Sequence, residues 1–238
     1  MLKLNKIYHG NCLKIMRDIP NKSIDCIITD PPYGIDYQST RGSDKTKWKL
    51  KIANDKSPYT IWIDEAFRVL KNKAGLFCFT RWDIEQEFRK SFTKSNFICK
   101  QQIIWDKEIH SMGDLFGDFA SQHENIIFAT KGRFIFKGKR PKSVIRTQRV
   151  FYKKLLHPNE KPIDLIIKLI EAITVPGDVV LDLFAGSGTT GVACINTKRN
   201  YILIEKEEKY YKIAQDRLSK EDKKNTYWNH EFSKMKEK

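Results

Sequence analysis

Seven short runs of β-branched, aliphatic and aromatic residues recur along the chain with helical patterns between them. This alternation limits the fold more than any other feature. The runs are 5–10 (NKIYHG), 24–29 (IDCIIT), 75–80 (GLFCFT), 97–105 (FICKQQIIW), 124–130 (ENIIFAT), 178–184 (DVVLDLF) and 200–205 (NYILIE). The helical patterns lie at about 12–18, 60–71, 83–93, 162–174, 189–197 and 207–219. Runs such as IDCII are apolar throughout, as expected of strands covered on both faces. The expected class is α/β: a doubly wound, mostly parallel sheet with helices on both faces, binding ligands beyond the carboxyl ends of its strands. Segments 36–58 and 131–156 break the pattern. They are polar and basic, punctuated by Gly and Pro, and read as loops or a small basic module. The expected organisation is one domain, 1–220, followed by a charged tail at 221–238 that frays.

Charge distribution narrows the partners. Of 238 residues, 44 are Lys or Arg and 29 are Asp or Glu, a net charge of +15. Residues 131–161 hold seven Lys and four Arg against the single acid Glu160. Residues 41–58 add six bases against Asp44 and Asp55. Two concentrated basic segments on a nearly neutral body are the footprint of a protein that meets a polyanion, here nucleic acid. No apolar run approaches the roughly 18–20 residues of a membrane span, and MLKLNKIYHGN lacks the apolar core of a secretory signal. The five cysteines are scattered, with no C-x-x-C pair. Free thiols in a reducing cytoplasm are expected, with neither disulfide nor metal.

Two constellations carry chemistry. The first runs Asp182-Leu-Phe184-Ala185-Gly186-Ser187-Gly188-Thr189-Thr190-Gly191; it leaves a strand, opens a helix and is followed by a strand ending in Glu205. Glycines let backbone approach a ligand closely, the helix start offers unpaired N–H groups, and an acid at the next strand end can accept from ribose hydroxyls. The spacing G-x-G-x-x-G alone suits NAD equally well. In the second, the apolar strand IDCIIT runs straight into Asp30-Pro31-Pro32-Tyr33. Two prolines fix φ and remove donors, leaving stiff backbone with free carbonyl oxygens. Asp30 and the Pro31 carbonyl can both accept from an amino group, and Tyr33 supplies a face on which an aromatic ring can stack.

Together, DPPY at 30–33 and DLFAGSGTTG at 182–191 resemble the S-adenosylmethionine-dependent amino-group DNA methyltransferases, adenine-N6 and cytosine-N4. DPPY ahead of the glycine-rich motif resembles the permuted beta class. His157-Pro-Asn-Glu-Lys161-Pro162 resembles that family's third cofactor-side element, and RVLKNKAGLFCF and IIWDK also fit. The resemblance implies a Rossmann-like methyltransferase sheet and transfer of a methyl group from S-adenosyl-L-methionine to N6 of adenine in double-stranded DNA. The target base would be flipped out of the duplex to be reached. Asp30, Pro31, Pro32 and Tyr33 would be catalytic, with Asp30 also bordering the cofactor. Phe184, Ala185, Gly186, Ser187 and Thr189 would line the cofactor's methionine end, with Glu205 on its ribose and Asn11 near its adenine; Asp182 and Gly188 would also be cofactor-binding. Lys161 would face the cofactor carboxylate or stand in solvent. The family usually has Gly-Asp where this chain has Gly10-Asn11, which implies weaker cofactor binding.

Arg41, Lys45, Lys137, Lys139, Arg140, Lys142, Arg146 and Arg149 are the expected DNA contacts. His157 reads as a packed or capping histidine, and Trp62, Trp82 and Trp105 as core or rim packing. Asp rather than Ser at position 30 favours adenine over cytosine-N4. A non-catalytic nucleic-acid-binding module and an NAD-dependent oxidoreductase are the readings from other classes; the second leaves DPPY and the basic segment unexplained. A homodimer is expected, because one small chain has little surface for a specific DNA interface, and a cognate restriction endonuclease is the further partner.

Overall fold

The computed structural model describes residues 2–34, 58–110, 116–117, 119–136, 138–151, 153 and 155–236, the stretch 226–236 by its backbone alone. In chain order the elements are β1 (Lys6–His9), α1 (Cys12–Met16), β2 (Ile24–Thr29), α2 (Ile63–Val69), β3 (Leu70–Thr80), α3 (Glu85–Lys94), β4 (Ile98–Asp106), β5 (His123–Thr130), β6 (Val144–Arg146), α4 (Ile163–Ile173), β7 (Val179–Asp182), α5 (Thr189–Asn196), β8 (Asn200–Glu205) and α6 (Glu208–Lys236). Eight strands form one sheet in the order β1-β8-β7-β2-β3-β5-β4-β6. Neighbours pair in parallel except β5, which runs against both β3 and β4. The mostly parallel, doubly wound expectation holds.

Apolar strands need cover on both faces, and the helices supply it in threes. One face packs Cys12 and Met16 of α1, Ile63, Ala66 and Val69 of α2, and Phe88 and Phe92 of α3 against Ile27, Leu76 and Ile204. The other packs Leu165 and Leu169 of α4, Val192 and Ala193 of α5, and Ala214 and Leu218 of α6 against Cys26, Ile28, Phe77 and Leu203. Each Leu, Ile, Val, Met or Phe among them contributes about 1.5–3 kcal/mol by leaving water. Trp62 and Trp105 lie inside these layers, whereas Trp82 is 78% exposed at the rim. All five cysteines are free thiols, four of them buried.

Three elements differ from the sequence reading. β3 begins at Leu70, where helix was expected as far as 71. Leu70 is already extended and pairs with Ile24, and the ammonium of Lys131 caps the end of α2 by donating to the carbonyls of Phe67 and Leu70. Lys131 is thus buried structure, although it was counted in the basic segment. β6 is a three-residue edge strand beside β4, inside the stretch read as loop; VIR is too short to carry a periodicity of its own. The expected fraying tail is instead helical, for α6 continues to Lys236. Its Lys and acid residues fall four apart, as in Glu208–Lys212 and Asp216–Lys220, and such spacing supports an exposed helix.

Gly188 caps α5 in the left-handed region at φ +81°. A Cβ there would lie 3.0 Å from the Cβ of Ala214 in α6. Gly188→Ala therefore combines backbone strain with overpacking between two helices and should cost about 2–4 kcal/mol, read as a lower midpoint in urea unfolding at unchanged slope.

Candidate active site

Parallel strands deliver their carboxyl ends to one edge of the sheet. From β7 the chain winds outward to β8 on one side, and from β2 it winds to β3 on the other, so the crevice between β7 and β2 is the switch point. Along that edge stand, in spatial order, Asn11 after β1, Glu205 ending β8, Asp182 ending β7 and Asp30 after β2. All four line one cleft together with Pro31, Pro32, Tyr33, Tyr59, Phe79, the 157–161 segment, Phe184–Ser187, Thr189 and Tyr210. The two motifs, some 150 residues apart in sequence, meet there.

Three of the cleft's acids, Glu205, Asp182 and Asp30, are held by identifiable donors. Glu205 accepts from the N–H of Gly186 at 2.8 Å through one oxygen and of Glu207 at 2.8 Å through the other. Burial nevertheless pushes its carboxyl above the usual range. Asp182 accepts from Thr190 Oγ1 at 2.6 Å and Phe184 N at 3.1 Å. Burial outweighs both bonds and lifts it to about 7, with Asp30 and Glu205 adding repulsion. Asp30 accepts from the hydroxyl of Tyr33 through Oδ1 and from Lys161 Nζ at 2.6 Å through Oδ2. Burial, reinforced by Asp30, drives the Tyr33 phenol well above its ordinary value, so it stays a neutral donor.

The glycine-rich turn is braced from behind. Gly186 sits at φ +51° with its Cα facing the ring of His157, which a Cβ would meet at 3.4 Å. That ring packs edge-on against Tyr210 at 4.3 Å, and its Nδ1 accepts from Asn159 N. Burial, with the charges of Lys161 and Lys209, lowers His157 to about 4, so it is a packed neutral imidazole. Arg217 of α6 donates to Ser187 and Thr189 at 3.2 Å and pairs with Glu160 at 2.8 Å. The edges of Tyr59 and Trp62 meet the Phe184 ring at 5.9 and 6.1 Å.

Not every expected site residue sits as the sequence reading had it. Asn11 lies in the cleft wall, but its carbonyl oxygen caps α1 by accepting from Leu13 N at 2.9 Å. Lys161 is neither in solvent nor aimed at open cleft; it is 9% exposed and bound to Asp30. Gly188 shapes the helix start rather than the cleft lining. Lys139 and Lys142 border a groove beside the last turn of α4, about 16 Å down that helix from its start at the cleft. Arg146 closes β6 beside Asp106 at 3.3 Å, on the same edge as the cleft, and Arg149 follows it exposed. Arg41, Lys45 and Lys137, with most of segment 36–58, lie outside the described residues.

Sequence reasoning missed Glu124, Glu160 and Arg217. Glu124 reaches the site because β5 is antiparallel, so its beginning, not its end, lies at this edge. Strand direction has no local signal. Glu160 stood inside a motif already quoted, and its burial against Arg217 is a tertiary event.

The cleft suits a nucleoside-bearing cation. Asp30, Asp182 and Glu205 are among its acids, Glu205 stands at a strand end where it can accept from hydroxyl donors, aromatic rings flank it, and the hydroxyl of Thr29 is buried in its wall without a hydrogen-bond partner. Among the described residues no cluster of His, Cys, Asp and Glu could hold a metal, and no helix is long and apolar enough to cross a membrane.

A protein-family profile described as DNA methylase matches residues 24–216. The Type II methyltransferase M.HinfI of Haemophilus influenzae is 30% identical over 251 residues, covering 90% of this chain and 68% of that protein. The DNA adenine methyltransferase YhdJ of Escherichia coli (strain K12) is 29% identical over 272 residues, covering 97% and 87%. Among solved structures, the M1.HpyAVI–SAM complex superposes with a TM-score of 0.69 at 26% identity, covering 90% of this chain and 99% of the other.

Asp182 gives a test of the site's electrostatics. Its folded value of about 7 lies above the ordinary 3.8, so the folded chain keeps a proton that the unfolded chain releases. The stability this contributes is full below about pH 4 and is lost as pH rises to 7. Asp182→Asn has no such loss. Its stability relative to the parent should therefore rise by up to about 4 kcal/mol across that window, measured by urea unfolding at pH steps from 4 to 8. A pH-independent difference would show that Asp182 titrates normally.

Proposed function

Because the chain belongs to the DNA methylase family whose profile spans residues 24–216, we propose that it methylates the N6 amino group of adenine in double-stranded DNA, using S-adenosyl-L-methionine. The observation that carries this reading is the convergence of Asp30–Tyr33 with Phe184–Ser187 and Thr189 on one cleft walled by Asp30, Asp182 and Glu205. Names of relatives support the base: YhdJ is a DNA adenine methyltransferase.

Bound in the cleft, the cofactor supplies a methyl group already activated on a sulfonium. Everything else is asked of this chain. Glu205 would accept from ribose hydroxyls, Phe184–Ser187 and Thr189 would enclose the methionine end, and Asp182 would offer negative charge near a cation. An exocyclic adenine nitrogen is a poor nucleophile, because its lone pair is delocalised into the ring. Accepting its two hydrogens at Asp30 and the Pro31 carbonyl makes that nitrogen more tetrahedral and aims the lone pair at the methyl carbon. Once methylated the nitrogen would be acidic, and its proton would pass to the Asp30 carboxylate that already accepts one of its hydrogens. Asp30 acts by position rather than as a strong base. Tyr33, neutral and tethered to Asp30, presents its ring beside the amino-group site for stacking.

Arg146 and Arg149 at the cleft edge, with Lys139, Arg140 and Lys142 along the flank, supply phosphate contacts; Arg41, Lys45 and Lys137 belong to the same reading. A homodimer, a cognate restriction endonuclease and a cytoplasmic setting complete it.

Asp30→Ala should abolish methyl transfer while cofactor affinity stays near normal. Glu205→Ala should instead weaken cofactor binding by about 1–3 kcal/mol. Digestion of the methylated DNA to nucleosides identifies the product: N4-methylcytosine in place of N6-methyladenine overturns the choice of base, and transfer by Asp30→Ala at the parent rate overturns the site.

The phosphate contacts predict a steep salt dependence, with log K for DNA falling about 0.9 per phosphate neutralised as log salt rises. Neutralising Arg140, Lys142, Arg146 and Arg149 together should flatten that slope. An unchanged slope would place the phosphate contacts elsewhere.

A further inference from the structure

Lys161 is the most deeply buried cation bordering the cleft, and its ammonium lies among two carboxylates and an aromatic ring. Nζ lies 2.6 Å from Asp30 Oδ2 and 3.3 Å from Glu124 Oε2, and it stands 4.9 Å over the ring of Phe79. Glu124 is bound in turn by Lys107 at 2.6 Å. The four groups form an alternating row, Asp30–Lys161–Glu124–Lys107, that begins at the DPPY motif and ends where β4 gives way to the 107–122 connection. The charges balance within the row.

Burying a lysine costs several kcal/mol unless its partners are close and well placed. Burial works against the Lys161 ammonium, yet the two carboxylates outweigh it and raise its pKa. Burial likewise opposes ionisation of Glu124, and the two lysines overcome it. The cation is therefore permanent, and it is spent on Asp30. With Tyr33 on Oδ1 and Lys161 on Oδ2, the Asp30 carboxylate cannot rotate freely.

We propose that Lys161, itself anchored by Glu124, is a positioning residue that fixes the orientation of the Asp30 carboxylate for the target amino group and is not a ligand of the cofactor carboxylate. The proposal rests on the methyl-transfer reading above. It changes what Lys161 does within that site. Glu124 holds the ammonium by charge, its Oε2 buried at 3.3 Å without a hydrogen bond, and the Phe79 ring lies 4.9 Å from it. Displacing a catalytic group by about 1 Å is enough to cost about 100-fold in rate.

The test separates rate from cofactor affinity. Lys161→Met and Glu124→Gln are compared with the parent chain by steady-state methyl transfer to DNA at saturating cofactor. Calorimetric binding of S-adenosyl-L-methionine without DNA supplies a readout independent of turnover. Lys161→Met should lose about 100-fold in kcat and Glu124→Gln about tenfold, both binding cofactor within about threefold of the parent. A tenfold or greater loss of cofactor affinity in Lys161→Met, or an unchanged kcat, overturns the proposal. If Lys161→Met fails to fold by circular dichroism, the isosteric Glu124→Gln decides by the same split. Absence of methyl transfer in the parent chain instead defeats the methyltransferase reading, a result distinct from any difference among variants.

Discussion

A parallel sheet covered on both faces has a single edge at which its strands can present chemistry. The strands that lead into Asn11, Glu205, Asp182 and Asp30, namely β1, β8, β7 and β2, all run the same way. Their carboxyl ends therefore fall in a row, and the residues just beyond them meet whatever their distance along the chain. The winding reverses between β7 and β2, leaving a crevice rather than a crossing connection at that point. Asp182 stands on one wall and Asp30 on the other. The three-helix layers on either face hold the strands in register, so packing far from the cleft sets the spacing within it.

The cleft collects negative charge, and the fold tolerates it in two ways. Burial raises the carboxyls of Asp182 and Glu205, and the backbone N–H groups and threonine hydroxyl that they accept from offset it only in part. Asp30 is neutralised by a buried cation. The difference suits their positions. In the proposed reaction, Asp182 and Glu205 would gain from being short of positive neighbours, because a bound cation would supply the missing charge. Asp30, proposed to hold a neutral amino group, has its counter-ion already in place. Preorganised partners of this kind do not have to reorganise during reaction.

α6 ties these parts together. Through Arg217 it touches both Glu160 and the Ser187–Thr189 turn, and through Ala214 it sets the room available at Gly188. The helix that was expected to stop near 219 thus backs the glycine-rich motif with its first part, while its charged continuation extends beyond the described packing. His157, squeezed between Gly186 and Tyr210, completes that backing without holding a charge.

Local rules alone were enough for the strand and helix alternation, the two motifs and the placement of both at strand ends. Apolar runs declare buried strands, and Asp-Pro-Pro-Tyr and the glycine-rich turn are stiff or permissive by their own covalent geometry. The free thiols and the packed reading of His157 followed from composition and context. Tertiary structure decided the rest. It chose the antiparallel direction of β5, which brought Glu124 to the cleft. It buried Lys131 under α2 and Lys161 beside Asp30, removing two cations from a segment that looked uniformly exposed. It also placed Lys139 and Lys142 on the flank, away from the mouth. The reason is physical. Periodicity and backbone stiffness act over a few residues, whereas a lysine's environment is set by groups that may lie 131 residues away, as Asp30 lies from Lys161.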